Sequence, residues 1–419
     1  MMPRLLTYRR FVLAVACLIW STAFVSQPAN AQLTFRAEMA NGESMTGRVA
    51  SLTNDEVTLE SESGTAHRIA LENLISLRQP VRAGWKILPA AGQSWVFLAT
   101  GDRLCVEPTR IDDTELTARW NRFEALPPIK IPLEACRGVA FTLPSDSVKQ
   151  GLLLSSITDR TETSDLIVLR NGDRLQGELV GLQDEVVTIE TSLGEIQPKA
   201  RLVERLVFNP ELTFAEKPEG LVRTVLLSDG TILKLQEATA NSLTLTGTLL
   251  AGTKVTLPHE EIHELTISGG DAVPLAEITP DRQTITSFLD TKRPPRFGRN
   301  VLGGFLTMRG RPSLTGVGVV GGTTLEWDLD GSWKSFQTSV GVDDAARGRG
   351  SVIFEVRVDD RSVWRSEGLT GSDEPVAVPR VDLAGAKKLT LHVEFAQQGN
   401  VLDYANWADA VLIRGSSRK

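Results

Sequence analysis

The sequence predicts an all-β protein in which diverged repeats of a small barrel are followed by a two-sheet sandwich. Three observations predict it. A turn glycine recurs at Gly42, Gly101, Gly172 and Gly230, spaced 59, 71 and 58 residues apart. Each opens a series of short runs in which apolar and polar residues alternate, the pattern of half-buried strands. After Gly269-Gly270 the repeat pattern ends, and regular short strands with turns between them follow.

The chain begins with a segment that belongs to neither part. Arg4, Arg9 and Arg10 form a basic region, FVLAVACLIWSTAFV (11–25) is apolar, and Ala29-Asn30-Ala31 is a small-x-small cleavage pattern, so 1–31 reads as a signal peptide. The alternative, an uncleaved anchor, needs about 20 apolar residues where this run has 15. The expected mature chain is exported, whether periplasmic, cell-surface or extracellular, with no later membrane span. At 419 residues, 41% hydrophobic and 23% charged, the chain is large enough for several packed cores. Losing the three arginines of 1–31 takes the formal net charge from −7 to −10. Such an acidic chain, without a long basic run, is a poor nucleic-acid or anionic-membrane binder. Cys105 and Cys136 remain after processing. In an exported protein an even pair suggests a disulfide, with two free buried thiols as the alternative.

Repeats are expected over 32–80, 81–145, 146–210 and 211–270. Each has a Gly turn, alternating strands, a short connection and an apolar closing strand. The closing segments IALENLISL, IPLEACRGVAF, PKARLVERLVF and TLPHEEIHELTI fall at equivalent places. In LVGLQDEVVTIET, Val187 and Ile189 point inward while Thr188 and Glu190 face water. A unit of about 60 residues with this content is most like a small SH3/Sm-like β-barrel, serving as a structural spacer or an interaction module.

The last repeat contains His259-Glu260-Glu261-Ile262-His263, the H-E-x-x-H spacing of zinc peptidases. That chemistry needs a helix placing both His on one face, a third ligand and an open position. The repeat register instead puts the motif on a connection of at most one turn, leading into the strand-like Leu265-Thr266-Ile267. No other repeat has His there. The motif is expected to be accidental, and no metal site is assigned.

From PLAEITPD (274–281) onward, ordered motifs recur: LTMRGRPSLTGVGVVGGTTLEWDLDG (306–331), FQTSVGVDD (336–344), GSVIFEVRVDDRSVWRSEGLTG (350–371), VDLAGAKKLTLHVE (381–394) and NVLDYANWADAVLI (400–413). Together they make 271–415 resemble the NPCBM family, a carbohydrate-binding module. The resemblance implies a galactose-binding-like β-sandwich (jelly roll) that binds polysaccharide or glycan. The family commonly has His after its G-x-G turn, and Val320 stands there. Alternation alone gives the same fold. Val352, Phe354, Val356 and Val358 share one strand face, as do Leu325, Trp327 and Leu329, and Leu389, Leu391 and Val393.

Sugars are held by an aromatic face and by acids or amides that satisfy their hydroxyls. Trp364, Tyr404 and Trp407 are candidate platforms, with core packing as the alternative for each Trp. Asp343, Asp344, Asp403, Asn406 and Asp409 are candidate hydroxyl partners. The same acids suit a structural calcium, or simply turns and caps. No other cofactor is indicated. The sequence has no G-x-S-x-G, no phosphate loop and no catalytic Cys/His pairing. The expected function is therefore an exported, non-catalytic carbohydrate-binding protein of the envelope or surface. The alternative is an envelope protein-interaction scaffold using the same domains.

Overall fold

In each repeat the turn glycine takes a left-handed backbone, with φ of +93°, +93°, +94° and +90° at Gly42, Gly101, Gly172 and Gly230. Each donates its N–H to the carbonyl three residues back, in Met39, Leu98, Leu169 and Leu227, at 2.9–3.0 Å. Glycine adopts this conformation without steric cost, so the same tight turn is stamped four times. The computed structural model describes residues 33–80, 92–215, 218–286, 293–397, 399 and 401–415. The expected signal peptide, and residues 81–91 of the second repeat, lie outside the described residues.

Repeat one shows the plan. Strands Thr34–Met39, Ser44–Leu52, Glu56–Glu60 and Ala66–Ala70 form a meander, a 3₁₀ turn follows at Leu71–Asn73, and the closing strand Leu74–Arg78 pairs back on the first. The sheet thereby bends around one core, filled by Val49, Leu52, Val57, Leu59, Leu71 and Leu74. The other repeats reuse the plan, closing with Cys136–Ala140, Val203–Val207 and Ile262–Ser268 after 3₁₀ turns at Leu133–Ala135, Ala200–Leu202 and His259–Glu261. As the alternation requires, Val187 and Ile189 are fully buried.

The barrels are not beads on a string. The closing strands of repeats one and four pair antiparallel, Arg78 opposite Glu264 and Leu77 opposite Leu265. Those of repeats two and three pair likewise, Gly138 opposite Val207 and Ala140 opposite Arg205. Single bridges join Ile232 to Arg103, Leu52 to Ala240 and Ile111 to Leu182. An unpaired strand edge is a liability, and each closing strand covers another's.

Among the described residues one α-helix, Ser147–Thr158, departs from the all-strand expectation. Asp146 caps it by accepting from the Lys149 N–H at 3.0 Å. Its Leu153, Leu154 and Ile157 pack with Trp95, Phe97, Leu166 and Phe305.

The expected disulfide is replaced by two buried free thiols. The reason lies in strand alternation. Leu104 and Val106 face the barrel core, so Cys105 between them faces the opposite side, with Trp95 and Phe305. Cys136 is within the barrel core. The Cys105 Sγ–H donates to Gln93 Oε1 at 2.9 Å, and the Cys136 Sγ–H to the Pro132 carbonyl at 3.6 Å. Burial pushes both thiols up to about 12.

The C-terminal part is a sandwich of a seven-stranded and a six-stranded sheet. In the first, the long strand Tyr404–Arg414 lies between Gly316–Val320 and Trp333–Val342. In the second, Thr323–Asp328, Lys388–Phe395 and Ser351–Val358 are neighbours. Leu325, Trp327, Phe354, Val356, Leu391 and Val393 fill the space between the sheets. From Leu33 onward the chain forms one compact unit. Ala40 and Ile75 of repeat one share a small core with Ala272, Val411 and Ile413 of the sandwich. Trp95 meets Phe305 edge-on, with ring centroids 6.1 Å apart.

Candidate functional site

The zinc-peptidase spacing is dismantled by its local structure. His259 opens a 3₁₀ turn of three residues, and His263 is the second residue of the closing strand, so no helical face carries both. His259 occupies the place that Leu71 and Leu133 fill in repeats one and two. It is buried and stacks on Phe35 at 5.3 Å between ring centroids. Burial, and secondarily the charge of Arg78, pushes His263 down to about 4. Burial lowers the His259 pKa as well, so both imidazoles favour the neutral form. Among the described residues, no group of three or more His, Cys, Asp or Glu side chains is placed to hold a metal ion.

The acids expected to reach sugar are instead turned inward. Asp343 is 1% exposed. Its Oδ1 accepts from Asn300 Nδ2 at 3.1 Å and Ala345 N at 2.9 Å, and its Oδ2 from Asn406 Nδ2 at 2.6 Å and Thr307 N at 3.2 Å. Four donors converge on one carboxylate, which ties three chain segments together. Burial pushes its carboxyl up to about 6 against the pull of those bonds. Asn406 is fully buried. Asp344 is half-buried and receives the Arg309 and Gly310 N–H groups, both at 2.8 Å. Asp403 is buried, accepts from Ser351 N at 2.8 Å, and is pushed up to about 6 by burial. Asp343, Asp403 and Asn406 are thus loop-fastening groups, the cap-and-turn alternative for acidic loops.

Trp407 is also corrected. It is 1% exposed and meets Phe354 edge-on at 5.0 Å, inside the sandwich core. It offers no face to a ligand. Tyr404 is half-buried against Val301, Leu302 and Ala345. Trp364 keeps a half-exposed ring on the strand Arg361–Arg365, well apart in the sheet order from the loops that Asp343 fastens.

Of the expected residues, Asp409 lines the cleft described next. It takes a left-handed backbone at φ +50° on the strand Tyr404–Arg414, which aims it across the boundary to the barrels. Its Oδ2 accepts from Arg78 Nη2 at 3.1 Å and its Oδ1 from Ser313 Oγ at 2.7 Å. The same Arg78 nitrogen lies 2.6 Å from Glu264 Oε1, and Glu264 is 1% exposed. Glu264 first and Asp409 second raise the Arg78 pKa, keeping it charged. This triad joins the closing strands of repeats one and four to the sandwich.

Around it runs a cleft of about 320 Å³ between barrels and sandwich. Its walls alternate in character. Ile75, Ile232, Phe297 and Leu314 give apolar surface, while Arg78, Arg103, Lys234, Glu277, Gln337 and Asp409 give donors and acceptors. Burial pushes the Glu277 carboxyl up, opposed by Lys234 and Ser268. An apolar wall with a few fixed polar groups suits a small polar ligand with C–H faces. Sequence reasoning missed Arg78, Arg103, Lys234 and Glu277. The available signal was a cation inside an apolar strand, as in Ile232-Leu233-Lys234-Leu235.

Residues 275–413 match the NPCBM/NEW2 domain. No curated protein matches the chain. Among solved structures, the second CBM51 module of ZmpB from Clostridium perfringens, in complex with GlcNAc and joined to INT domains, is 22% identical. That match covers 41% of this chain and 36% of the other, with a TM-score of 0.31. The CBM51 module of a Clostridium perfringens GH95 protein, in complex with methyl-galactose, is 24% identical over 34% of this chain and 99% of its own, also at 0.31. The tandem CBM51 modules of the family 98 glycoside hydrolase of Streptococcus pneumoniae SP3-BS71 are 10% identical, covering 91% of this chain and 100% of theirs, at 0.31.

Proposed function

Because residues 275–413 match a carbohydrate-binding module family, we propose that this chain is an exported, non-catalytic glycan-binding protein of the cell envelope or surface. In this reading the barrels act as a rigid support for the sandwich, and sugar is held in the cleft between them. The family match is the observation that carries it. Two features support the details. The cleft offers apolar wall and hydrogen-bonding groups together, as a sugar ring requires. A glycosidase needs two available carboxyl groups across the scissile bond; of the four acids lining the cleft, Glu38, Glu264, Glu277 and Asp409, two are bound to one guanidinium, Glu264 and Asp409. The N-terminal segment read as a signal peptide supplies the export.

The test is a glycan array probed with the full mature chain, because the sandwich shares packed residues with the barrels. Calorimetry on the hits should give dissociation constants on the order of 10 µM to 1 mM, as expected for an open site burying little area. Lys234→Ala should weaken binding. If no glycan binds at millimolar concentration while the chain captures an envelope protein, the interaction-scaffold reading replaces this one.

A further inference from the structure

The cleft has a second compartment. A cavity of about 310 Å³ lies beyond Arg103 and Arg299, and both residues line it as well as the first cavity. Arg137 adds a third guanidinium there. Two of the three are satisfied by the protein. Arg299 Nη1 lies 3.0 Å from Asp159 Oδ1, and Arg137 donates to the Thr158 carbonyl and to Thr213 Oγ1, both at 3.1 Å.

Arg103 differs. It projects from the two-residue strand Arg103–Leu104, and its guanidinium lies over the Phe305 ring at 4.5 Å from the centroid. Its hydrogen bond to the Gly298 carbonyl is long, 3.5 Å. No carboxylate of the described residues forms an ion pair with it. Asp102 next to it also lines the second cavity but is taken up by other donors, accepting from Lys234 N at 2.5 Å and from Thr100 Oγ1. Burial, and secondarily Arg299, pulls the Arg103 pKa down to about 10, so it stays charged at neutral pH without a counter-charge. A half-buried cation fixed over an aromatic ring, facing a cavity on either side, is an unusual expense in a chain of net negative charge unless an anion visits it.

We propose that Arg103, with Arg299 beside it, binds an oxyanion carried on the glycan, so that the cleft prefers acidic saccharides bearing a carboxylate or sulfate. The proposal rests on the glycan-binding reading above and names its ligand class. The sugar ring lies in the first cavity against Phe297 and Leu314, and its anionic substituent reaches Arg103 at the junction of the two. The planar fork of Arg suits either oxyanion.

The experiment titrates the full mature chain, at low salt, with neutral galacto-oligosaccharide, oligogalacturonide, sulfated galacto-oligosaccharide and inorganic sulfate. At least one acidic saccharide should bind about tenfold more tightly than the neutral one of equal length, and added salt should erode that preference. Comparing the carboxylated and sulfated arms identifies the oxyanion. Arg103→Gln should remove the preference, so that acidic and neutral saccharides of equal length bind alike. Should that variant melt early, Arg299→Gln carries the same test and should reduce the preference. Equal binding of neutral and acidic saccharides, or a preference that survives both substitutions, overturns this proposal and leaves glycan binding standing. Binding of inorganic sulfate with no saccharide at all overturns both.

Discussion

Replacing Arg78 by Gln tests how the barrels and sandwich are held together. In the folded protein Arg78 is a third exposed, and its partner Glu264 is 1% exposed. Removing the guanidinium leaves Glu264 buried opposite position 78 with no counter-charge, which costs about 3–5 kcal/mol for a fully enclosed pair. Because water reaches the Arg78 end, the cost falls to the bottom of that range or just below it, about 2–3 kcal/mol at pH 7. The loss should depend on pH. Burial already pushes the Glu264 carboxyl up, and removing Arg78 pushes it further. A carboxyl whose folded pKa is raised contributes stability that is present below its unfolded pKa and lost as pH rises through the folded one. The deficit of the variant against wild type should therefore be largest near neutrality and shrink on acidification. Urea unfolding of both proteins at several pH values measures it, and the double variant with Glu264→Gln should recover much of the loss, since it removes the stranded charge. A deficit below about 1 kcal/mol at pH 7, or one that stays constant with pH, would refute the reasoning.

Three further outcomes are expected. His259→Leu should be tolerated within about 1.5 kcal/mol by thermal or urea melting, because Leu holds this position in repeats one and two. In the same preparation, zinc at one equivalent per chain that is lost in His263→Ala would contradict the reading of the motif. Denatured but unreduced protein should release two titratable thiols per mature chain, and the folded protein almost none, since both are buried. A Cys105–Cys136 peptide in a non-reducing digest would overturn this. The folded pKa of Asp343, about 6, lies above the ordinary aspartate value of 3.8, so its contribution is present below about pH 4 and lost as pH rises through 6. Asp343→Asn abolishes that titration. The stability gap between variant and wild type should move in favour of wild type by up to about 3 kcal/mol on going from neutral pH to pH 4, and a gap that is flat with pH argues against it.

Much of this was legible where local rules act alone. The four turn glycines marked the repeats because a left-handed tight turn has few chemical solutions. The alternation of Val352, Phe354 and Val356 marked a sandwich strand because one of its faces is polar. Trp407 escaped the same logic. Its strand is central, and Asn406 on the outer face is buried against Asp343, so Ala405, Asn406, Trp407 and Ala408 are all buried and alternation carries no signal. Asp343 and Asp403 looked like ligand-facing acids, but a carboxylate that gathers loop N–H groups has the same residue type and the same loop setting. The cysteine sides were readable, since Leu104 and Val106 flank Cys105 and alternation sends it away from them. The cleft was not, because Arg78, Arg103 and Asp409 meet only through long-range packing.

The pairing of closing strands restricts how such a chain can change length. Repeats one and four satisfy each other's edges, as do two and three, so the outermost partners enclose the inner ones, like nested parentheses. Loss of a single unit would leave one closing strand with bare N–H and C=O groups, an open template for another molecule. Growth or shrinkage by twos keeps every edge matched. A duplication that inserted one barrel would thus tend toward strand exchange between chains, whereas one that inserted a pair could fold within a single chain. The parity of the array, rather than its length, is what the architecture protects.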